Sequence, residues 1–179
     1  MTMKKIYFIL FITVLTSSCE EVIYNNPQSV YDMTEFLSEY KSANPQLTSA
    51  QLITETHISK DTIIYETYAV DSLINMMSNF NFTTRERSGE FDIKEKKEGK
   101  KSCTTYIPQD EDVAVQKLNV CKTGESISEL SGEKDKNSIL NRLSQSYRFQ
   151  PDGIFILKST FIDKVRKDTL RTQNTLTWN

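Results

Sequence analysis

The sequence predicts an α+β fold, in which an antiparallel β-meander sheet carries about three helices on one face. Two observations support this prediction. Apolar residues recur at helical spacing in some segments and alternate with polar residues in others, as they do in half-buried strands. The strand-like segments follow one another closely, with short turn signals between them, and such strands pair antiparallel. We expect residues 29–179 to form this single domain.

Three segments have the pattern of amphipathic helices. The first is Val30–Lys41, with Ser29 as its N-cap and Asn44-Pro45 as its stop signal. A second helix is expected to follow Asp71 as its N-cap. The third is Asn137–Tyr147, where three apolar residues lie on one side of the helix. We expect these helices to cover the sheet.

The strands are predicted where Thr, Ile, Tyr and Phe are frequent or alternate with polar residues. In chain order they are Ala50–Ile58, Thr62–Val70, Phe82–Arg87, Glu90–Lys96, Ser102–Ile107, Val113–Cys121, Ile154–Ile162 and Asp168–Trp178. The polar segment Lys122–Lys136 is predicted to be a loop. The charge run Lys94–Lys101 is expected at a solvated hairpin end or in a mobile loop, with contact to anionic headgroups as the alternative.

Composition indicates an ordered core and narrows the class of function. The 179 residues include 22 Lys and Arg and 24 Asp and Glu, and the sequence pI is about 5.6. This balance excludes a nucleic-acid binder that relies on bulk positive charge. Five Gly and four Pro exclude collagen-like and Pro/Gly-rich disordered chains. Leu, Ile, Val and Phe are frequent enough for a packed core.

The amino terminus has the three-part order of a secretory signal. Lys4 and Lys5 are followed by Ile6–Leu15, which is almost entirely apolar, and then by small residues. A run of this length is too short to span a bilayer, which needs about 20 apolar residues. Ser17-Ser18-Cys19 resembles the lipobox, the cleavage site of bacterial lipoproteins, although Thr16 occupies a position where Leu is commoner.

The lipobox resemblance implies cleavage of residues 1–18 and lipidation of Cys19 with a diacylglycerol and an N-acyl chain. Residues 19–28 are then expected to be a lipidated tether, and several acyl chains hold a protein stably on a membrane. The implied location is the outer membrane of a bacterial envelope, on its periplasmic or its surface face. Glu20 and Glu21 resemble a surface-export signal, or they are simply part of a solvated tether. An ordinary cleaved signal with a coincidental cysteine is the alternative.

Cys103 and Cys121 remain as an even pair once Cys19 is assigned to lipid. In an oxidising compartment such a pair favours a disulfide, here between neighbouring strands or across a hairpin. Two free buried thiols are the alternative. A redox-active role is not expected, because the chain has no Cys-x-x-Cys motif.

No catalytic or metal-binding constellation is evident. His57 is the only histidine, and no Gly-x-Ser-x-Gly elbow accompanies it, so we expect it to be a structural or surface residue. Asp110-Glu111-Asp112 lacks the alternating ligands and Gly of a calcium loop and is expected to be a solvated turn. We therefore expect no enzyme activity, no metal and no cofactor. A pair of carboxylates that meets only in space stays open.

A tripeptide of Asp, a hydroxyl residue and an aliphatic residue occurs three times. It resembles the acceptor motif for O-glycosylation of exported proteins in certain Gram-negative bacteria. The candidate acceptors are Thr62, Ser72 and Thr169. The alternative is that Asp-Ser and Asp-Thr pairs simply mark turns and helix caps.

These features predict a lipid-anchored envelope protein that binds a protein partner without catalysis, as an accessory subunit or an immunity-type protein. A carrier for an apolar small ligand is the first alternative, with the strand aromatics lining a cavity in a curved sheet. These aromatics are Tyr65, Tyr68, Phe80, Phe82, Phe91, Tyr106, Phe155, Phe161 and Trp178. A carboxylate-dependent hydrolase is the second alternative.

Overall fold

The structure, a computed structural model, describes residues 21–24 and 30–179, which form one antiparallel sheet and three helices. The strands are β1 Glu21–Tyr24, β2 Gln46–Thr56, β3 Lys60–Ala69, β4 Phe91–Glu98, β5 Lys101–Pro108, β6 Val115–Thr123, β7 Ser126–Asn137, β8 Asn141–Gln150, β9 Ile154–Asp163 and β10 Asp168–Thr177. The helices are α1 Met33–Ala43, α2 Val70–Ser78 and α3 Thr84–Arg87.

The ten strands follow the order β1-β4-β5-β6-β7-β8-β9-β10-β2-β3. Strands β4 to β10 form a meander in which each strand pairs with the next. The β2–β3 hairpin extends the sheet beyond β10, and β1 pairs with β4 at the other side. The predicted antiparallel meander is therefore confirmed, although the sheet is larger than expected.

The expectation of three helices packed on the sheet is wrong. Helices α1 and α2 bury apolar side chains, whereas α3 is a single turn with no buried residue. The predicted strand Phe82–Arg87 is instead a bend followed by α3, because Thr83 and Glu86 form a capping box. The fold is dominated by its sheet, with two helices on one face.

Two further predictions are wrong in the middle of the chain. The predicted third helix Asn137–Tyr147 lies largely in β8, and the predicted loop Lys122–Lys136 lies largely in β7. In β8 the alternation of Leu143, Tyr147 and Phe149 on one face outweighs the helical spacing. In β7 only two buried residues, an apolar one and a glycine, mark the inner face, so the strand signal is weak.

The helix caps also differ from the predictions. Asp32 is the N-cap of α1, since its carboxylate accepts a hydrogen bond from the backbone N–H of Thr34 at 3.0 Å. The expected cap, Ser29, lies outside the described residues. In α2 the N-cap is Ala69, and Asp71 lies in the first turn, where it complements the helix dipole.

The core lies between one face of the sheet and the helices, and two cross-strand rows build it. The first row is Ile93, Tyr106, Leu118, Gly132, Tyr147 and Leu157. The second row is Val120, Leu130, Phe149, Phe155 and Leu176. All eleven residues are buried, and the helices cover them with the buried side chains Met33, Leu37, Tyr40, Leu73 and Met77.

Gly132 has a clear packing role in this core. A Cβ atom at this position would lie 2.6 Å from Cε1 of Tyr147, which is directly opposite on β8. The Tyr147 ring therefore occupies the space that a larger residue would need. Its hydroxyl donates a hydrogen bond to Sδ of Met33 at 3.3 Å, and burial raises the pKa of this phenol far above its usual value. This hydrogen bond links α1 to the sheet.

The antiparallel order gives the sheet two ends with different turns. We call the end at which β1 begins the proximal end, and it includes the turns at 99–100, 124–125 and 151–153. The opposite, distal end includes the turns at 57–59, 138–140 and 164–167. Since β1 covers Glu21–Tyr24 and pairs with β4, part of the tether expected at 19–28 belongs to the sheet.

Cys103 and Cys121 face each other in β5 and β6 and are joined by a disulfide, with the Cα atoms 4.0 Å apart. The pair lies two residues from the proximal end of the two strands. The disulfide favoured from the sequence is therefore present, and the alternative of two free thiols does not describe the structure. The bridge braces the proximal end of the sheet.

Candidate interaction surface

Large apolar side chains are exposed mainly at the distal end of the sheet. Eight are exposed in the described part of the chain, and six of them lie at this end. We call these six the apolar end: Ile58, Ile139, Leu140, Phe161, Val165 and Leu170. The other two, Ile63 and Ile64, lie on the edge strand β3. Such clustering is unusual on a monomeric soluble domain and is typical of binding surfaces.

The most prominent members of the apolar end lie in turns. Ile139 is 92% exposed, Ile58 is 82% exposed and Val165 is 70% exposed. Each belongs to a different distal hairpin turn. Turns of this kind usually carry Gly, Asn, Asp or Ser for conformational reasons, so three apolar side chains here have no role in forming the turns.

A row of apolar side chains on the strands continues this surface. Leu143, Phe161 and Leu170 are direct neighbours across β8, β9 and β10. Each is an even number of residues from a core residue of its own strand, so the row is on the face that carries the core. Leu143 is half-buried, whereas Phe161 and Leu170 are exposed. The helix-covered face therefore ends in an uncovered apolar row.

A polar row separates this apolar row from the core. It contains Gln145, Ser159 and Thr172, which are direct neighbours on the same three strands. The amide of Gln145 donates a hydrogen bond to Oγ of Ser159 at 3.1 Å. The apolar end is thus a separate surface and not the margin of the core.

Hydrogen bonds hold the distal turns in place. The backbone N–H of Lys164 donates to the carbonyl of Leu140 at 2.9 Å, and Nζ of Lys164 donates to Oδ1 of Asn137 at 2.7 Å. These contacts join the β7–β8 turn to the β9–β10 turn. A carboxylate oxygen of Asp163 accepts from the N–H groups of Val165 and Arg166, each at 2.9 Å. Partners bind such pre-ordered groups with a smaller entropic cost.

Charged side chains also lie at the distal end, but those of β7 and β8 are on the face of the sheet opposite the apolar row, since Arg142 and Ser144 alternate with Leu143 along β8. Arg142 forms a bidentate pair with Asp135, with its shortest contact at 2.7 Å, and Ser144 donates a further hydrogen bond to this carboxylate at 3.0 Å. The hydrogen bonds from Arg142 lower the pKa of Asp135, while burial acts in the opposite direction. Arg166 adds a looser contact with Asp163 at 3.9 Å. The distal end therefore carries apolar side chains on the core face and an ion pair on the opposite face of the sheet.

The candidate glycosylation sites are all exposed but lie in different parts of the fold. Thr62 is on the edge strand β3, Ser72 is in the first turn of α2, and Thr169 is at the start of β10. Ser72 lies close to a helix cap, Asp168 directly follows the 164–167 turn and Asp61 lies two residues after the 57–59 turn, so the alternative of turn and cap positions describes all three sites. Thr169 precedes Leu170, and a glycan there would lie beside the apolar end.

Other residues singled out from the sequence do not form a reactive site in the described residues. His57 is exposed in the turn after β2 rather than inside a strand. No group of three or more His, Cys, Asp or Glu in this part of the chain has the arrangement of a metal site. Cys19, the predicted lipidation site, and the predicted signal 1–18 lie outside the described residues.

Most of the strand aromatics of the described residues lie in the core or pack against it, whereas Phe161 is exposed at the apolar end. Rings pack directly on one another, with centroids 4.5 Å apart for Phe80 and Tyr147 and 5.0 Å apart for Phe82 and Phe91. Clefts of about 450 and 600 Å³ open on the surface, and most of the side chains that line them are polar or charged. The described aromatics therefore do not line an apolar cavity of the kind that a small-ligand carrier needs.

The 450 Å³ cleft does bring carboxylates together, as a hydrolase would require, and its lining includes Glu86, Asp110 and Asp112. The carboxylate of Glu86 accepts the N–H of Thr83 at 2.7 Å. That of Asp110 accepts the N–H of Asp112 at 2.9 Å. Two of the acids therefore fix the local backbone, and the predicted turn at 110–112 is confirmed as an exposed one.

The chain matches no protein-family model, and neither a curated protein nor a solved structure matches it. Among the described residues, no helix has the length and apolar character needed to cross a bilayer. The sequence prediction does not find the apolar end, because Leu140 lies in the predicted helix Asn137–Tyr147 and Ile58 lies at the end of the predicted strand Ala50–Ile58. Apolar residues inside turn segments, as in Ser138-Ile139-Leu140-Asn141, were the signal that was available.

Proposed function

We propose that this protein is a lipid-anchored envelope protein that binds a protein partner through its apolar end. One observation carries the proposal: six of the eight exposed large apolar residues in the described chain lie at the end opposite the start of β1. The fold does not need them there, because a polar row separates them from the core. Solvent exposure of such a cluster is costly unless a partner covers it.

The proposed anchor gives the two ends their orientation. Cys19 precedes Glu21, the first residue of β1, by two positions, and two residues span at most about 7 Å. Acyl chains on Cys19 would hold the proximal end close to the membrane. The apolar end would then point away from the bilayer, where a second envelope protein can reach it.

The chemistry of the surface indicates the class of partner. The apolar end presents aliphatic side chains and one aromatic ring on hydrogen-bonded turns. Arg142 and Arg166 lie at the same end of the sheet, each paired with an acid. This combination suits a protein with a complementary apolar patch and polar edge, as in an accessory subunit or an immunity-type protein.

A pair of matched variants tests the proposal. We expect Ile139→Asp with Val165→Asp to prevent formation of a defined complex when the full-length protein is extracted from its native membranes in mild detergent. Ile64→Asp is the control, since it places the same charge on an equally exposed apolar site away from the apolar end. A complex that survives the double substitution, or that is lost equally with Ile64→Asp, would contradict the proposal.

O-glycosylation at Thr62, Ser72 and Thr169 is proposed as a separate modification. Its support is the repeated motif and the exposure of all three hydroxyl side chains. The intact mass of protein from the native host should exceed the mass of the acylated chain, and each Ala substitution should remove one increment. A mass equal to that of the acylated chain alone would exclude this modification.

A further inference from the structure

The proximal end of the sheet carries a group of exposed lysines beside the start of β1. The register pairs Glu21 with Lys96, so β1 begins next to the β4–β5 turn. Lys97 and Lys100 are exposed at this turn, and Lys122 is exposed at the end of β6. The charge run that the sequence predicted for a hairpin end is therefore at the point where the chain enters the sheet.

Three of the lysines are not neutralised by acids. Lys96 pairs with Glu98 at 2.6 Å, and Lys101 is 3.5 Å from Glu129. By contrast, none of the ion pairs in the described part of the chain involves the three lysines 97, 100 and 122. The acids near them in the sequence are Glu95 and Glu98, on either side of Lys97, and Glu125, three residues after Lys122.

The backbone places two of these lysines on one face. Lys97 is opposite Ser102 on β5, and Ser102 is opposite Lys122 on β6, so both ammonium groups belong to the same face of the sheet. Lys122 directly follows Cys121, whose disulfide to Cys103 fixes the spacing of β5 and β6. Lys97 and Lys122 therefore belong to paired strands, and Lys100 lies in the two-residue turn between β4 and β5.

We propose that Lys97, Lys100 and Lys122 contact phosphate-bearing lipid headgroups of the membrane in which the acyl chains of Cys19 are inserted. This inference rests on the anchor of the proposed function. Cys19 precedes Glu21, the first residue of β1, by two positions, and two residue steps span at most about 7 Å, which is less than the Debye length of about 8 Å at physiological ionic strength. The lysines thus stay within the range at which an anionic membrane surface attracts cations.

Hydrogen exchange of the full-length acylated protein in vesicles tests this contact. The readout compares amides of the β4–β5 turn with amides of the β9–β10 turn, which carries Lys164, Arg166 and Lys167. We expect the β4–β5 turn to exchange at least threefold more slowly in vesicles with 30% phosphatidylglycerol than in pure phosphatidylcholine. High salt should remove the difference, and the β9–β10 turn should exchange equally in both vesicles.

Charge variants identify the groups responsible. Replacing Lys97, Lys100 and Lys122 by Gln should abolish the difference between the vesicles, whereas replacing the three cations of the β9–β10 turn by Gln should preserve it. Equal exchange in phosphatidylcholine, phosphatidylglycerol and lipopolysaccharide vesicles, or a difference that survives the first set of substitutions, would overturn the inference. Vesicles with lipopolysaccharide form a further arm, because a response to these alone assigns the phosphate to the surface leaflet and a response to phosphatidylglycerol assigns it to phospholipid.

The anchor and the headgroup contact can fail separately. If the measured mass of the purified protein shows that the acyl chains are absent, there is no lipid anchor, and the inferred headgroup contact is wrong as well. If the acyl chains are present and the exchange rates are equal, only the headgroup contact is wrong. Binding of a partner at the apolar end is measured independently of either result.

Discussion

The proximal and distal ends of the sheet expose different chemistry on similar β-turns. At the proximal end the turns at 99–100 and 124–125 carry Gly with Lys or Glu, and a disulfide lies two residues below. At the distal end the turns carry Ile58, Ile139 and Val165, all highly exposed. Because the same strands connect both ends, folding alone does not explain the difference. This contrast supports the proposal that the distal apolar residues bind a partner.

The largest expected change in stability comes from the proximal end. Replacing Cys103 and Cys121 by Ser removes a bridge between residues 18 positions apart and should lower the free energy of unfolding by about 3 kcal/mol. Urea denaturation measures this value, and hydrogen exchange should show that amides of the proximal turns lose more protection than amides of the distal turns.

A matched control uses another cross-strand pair of β5 and β6. The hydroxyl of Thr105 donates a hydrogen bond to Asn119 at 3.0 Å, and Thr105→Ala should cost about 1 kcal/mol. Equal loss of protection at both ends after removal of the disulfide would contradict its local bracing role.

The next largest change in stability is expected in the core that connects the two ends. Gly132→Ala should lower the free energy of unfolding by about 1–3 kcal/mol, because the new methyl group must displace the Tyr147 ring. The double variant Gly132→Ala/Tyr147→Leu should lose less than the sum of its single variants, because Leu leaves room for the methyl group. Strict additivity in thermal or urea unfolding would show that the ring does not occupy this space.

A smaller effect is expected where α1 begins. Burial acts to raise the pKa of Asp32, but hydrogen bonds from Thr34 and Asn81 and the nearby Arg87 lower it to about 2. A carboxyl group with a lowered pKa stabilises the fold above its unfolded pKa near 3.8, and this contribution is lost as the pH falls toward 2. Asp32→Ala should therefore cost about 1 kcal/mol at pH 6.

The pH profile separates this cap from ordinary surface charge. The stability difference between wild type and Asp32→Ala should shrink between pH 4 and pH 2 in urea titrations. Asp71→Ala is the control, since Asp71 makes an exposed ion pair with Lys41 and should change stability by less than about 0.5 kcal/mol. A stability difference between wild type and Asp32→Ala that stays constant between pH 4 and pH 2 would contradict the lowered pKa of Asp32.

The smallest effect on stability is expected at the apolar end. Ile139→Asp with Val165→Asp should change the free energy of unfolding by less than about 0.5 kcal/mol, because both side chains are exposed and lie in turns. Chemical denaturation checks this value. A loss above about 1 kcal/mol would show that these side chains support the fold, and the contrast between the two ends would then need another explanation.

The sequence was sufficient for elements whose pattern is unambiguous. Ile154–Ile162 and Asp168–Trp178 are found as β9 and β10, and the first helix is found as α1, all within a few residues of the predicted bounds. Leu140 of the 138–140 turn and Leu143 and Tyr147 of β8 fit helical spacing by coincidence, and only pairing with β7 and β9 decides for a strand. The strand propensity of a sequence predicts secondary structure poorly where pairing with neighbouring strands determines it.

The apolar end was beyond sequence reasoning for a different reason. Its members come from four parts of the chain, and only the strand register brings Leu143, Phe161 and Leu170 into one row. Single exposed apolar residues in turns carry little meaning by themselves. Their clustering, and the polar row beneath them, become visible only when ten strands are placed in order.

Photo-crosslinking in intact native membranes is the most direct test of whether the distal end is the partner-binding surface. A photoreactive residue at Ile139 should give an adduct of one defined mass, whereas the same residue at Lys100 on the proximal turn should give no adduct of that mass. The account predicts that Val165→Asp removes the adduct formed from position 139. The same adduct from both positions, or its persistence in the Val165→Asp variant, would contradict the claim that the distal end is the binding surface.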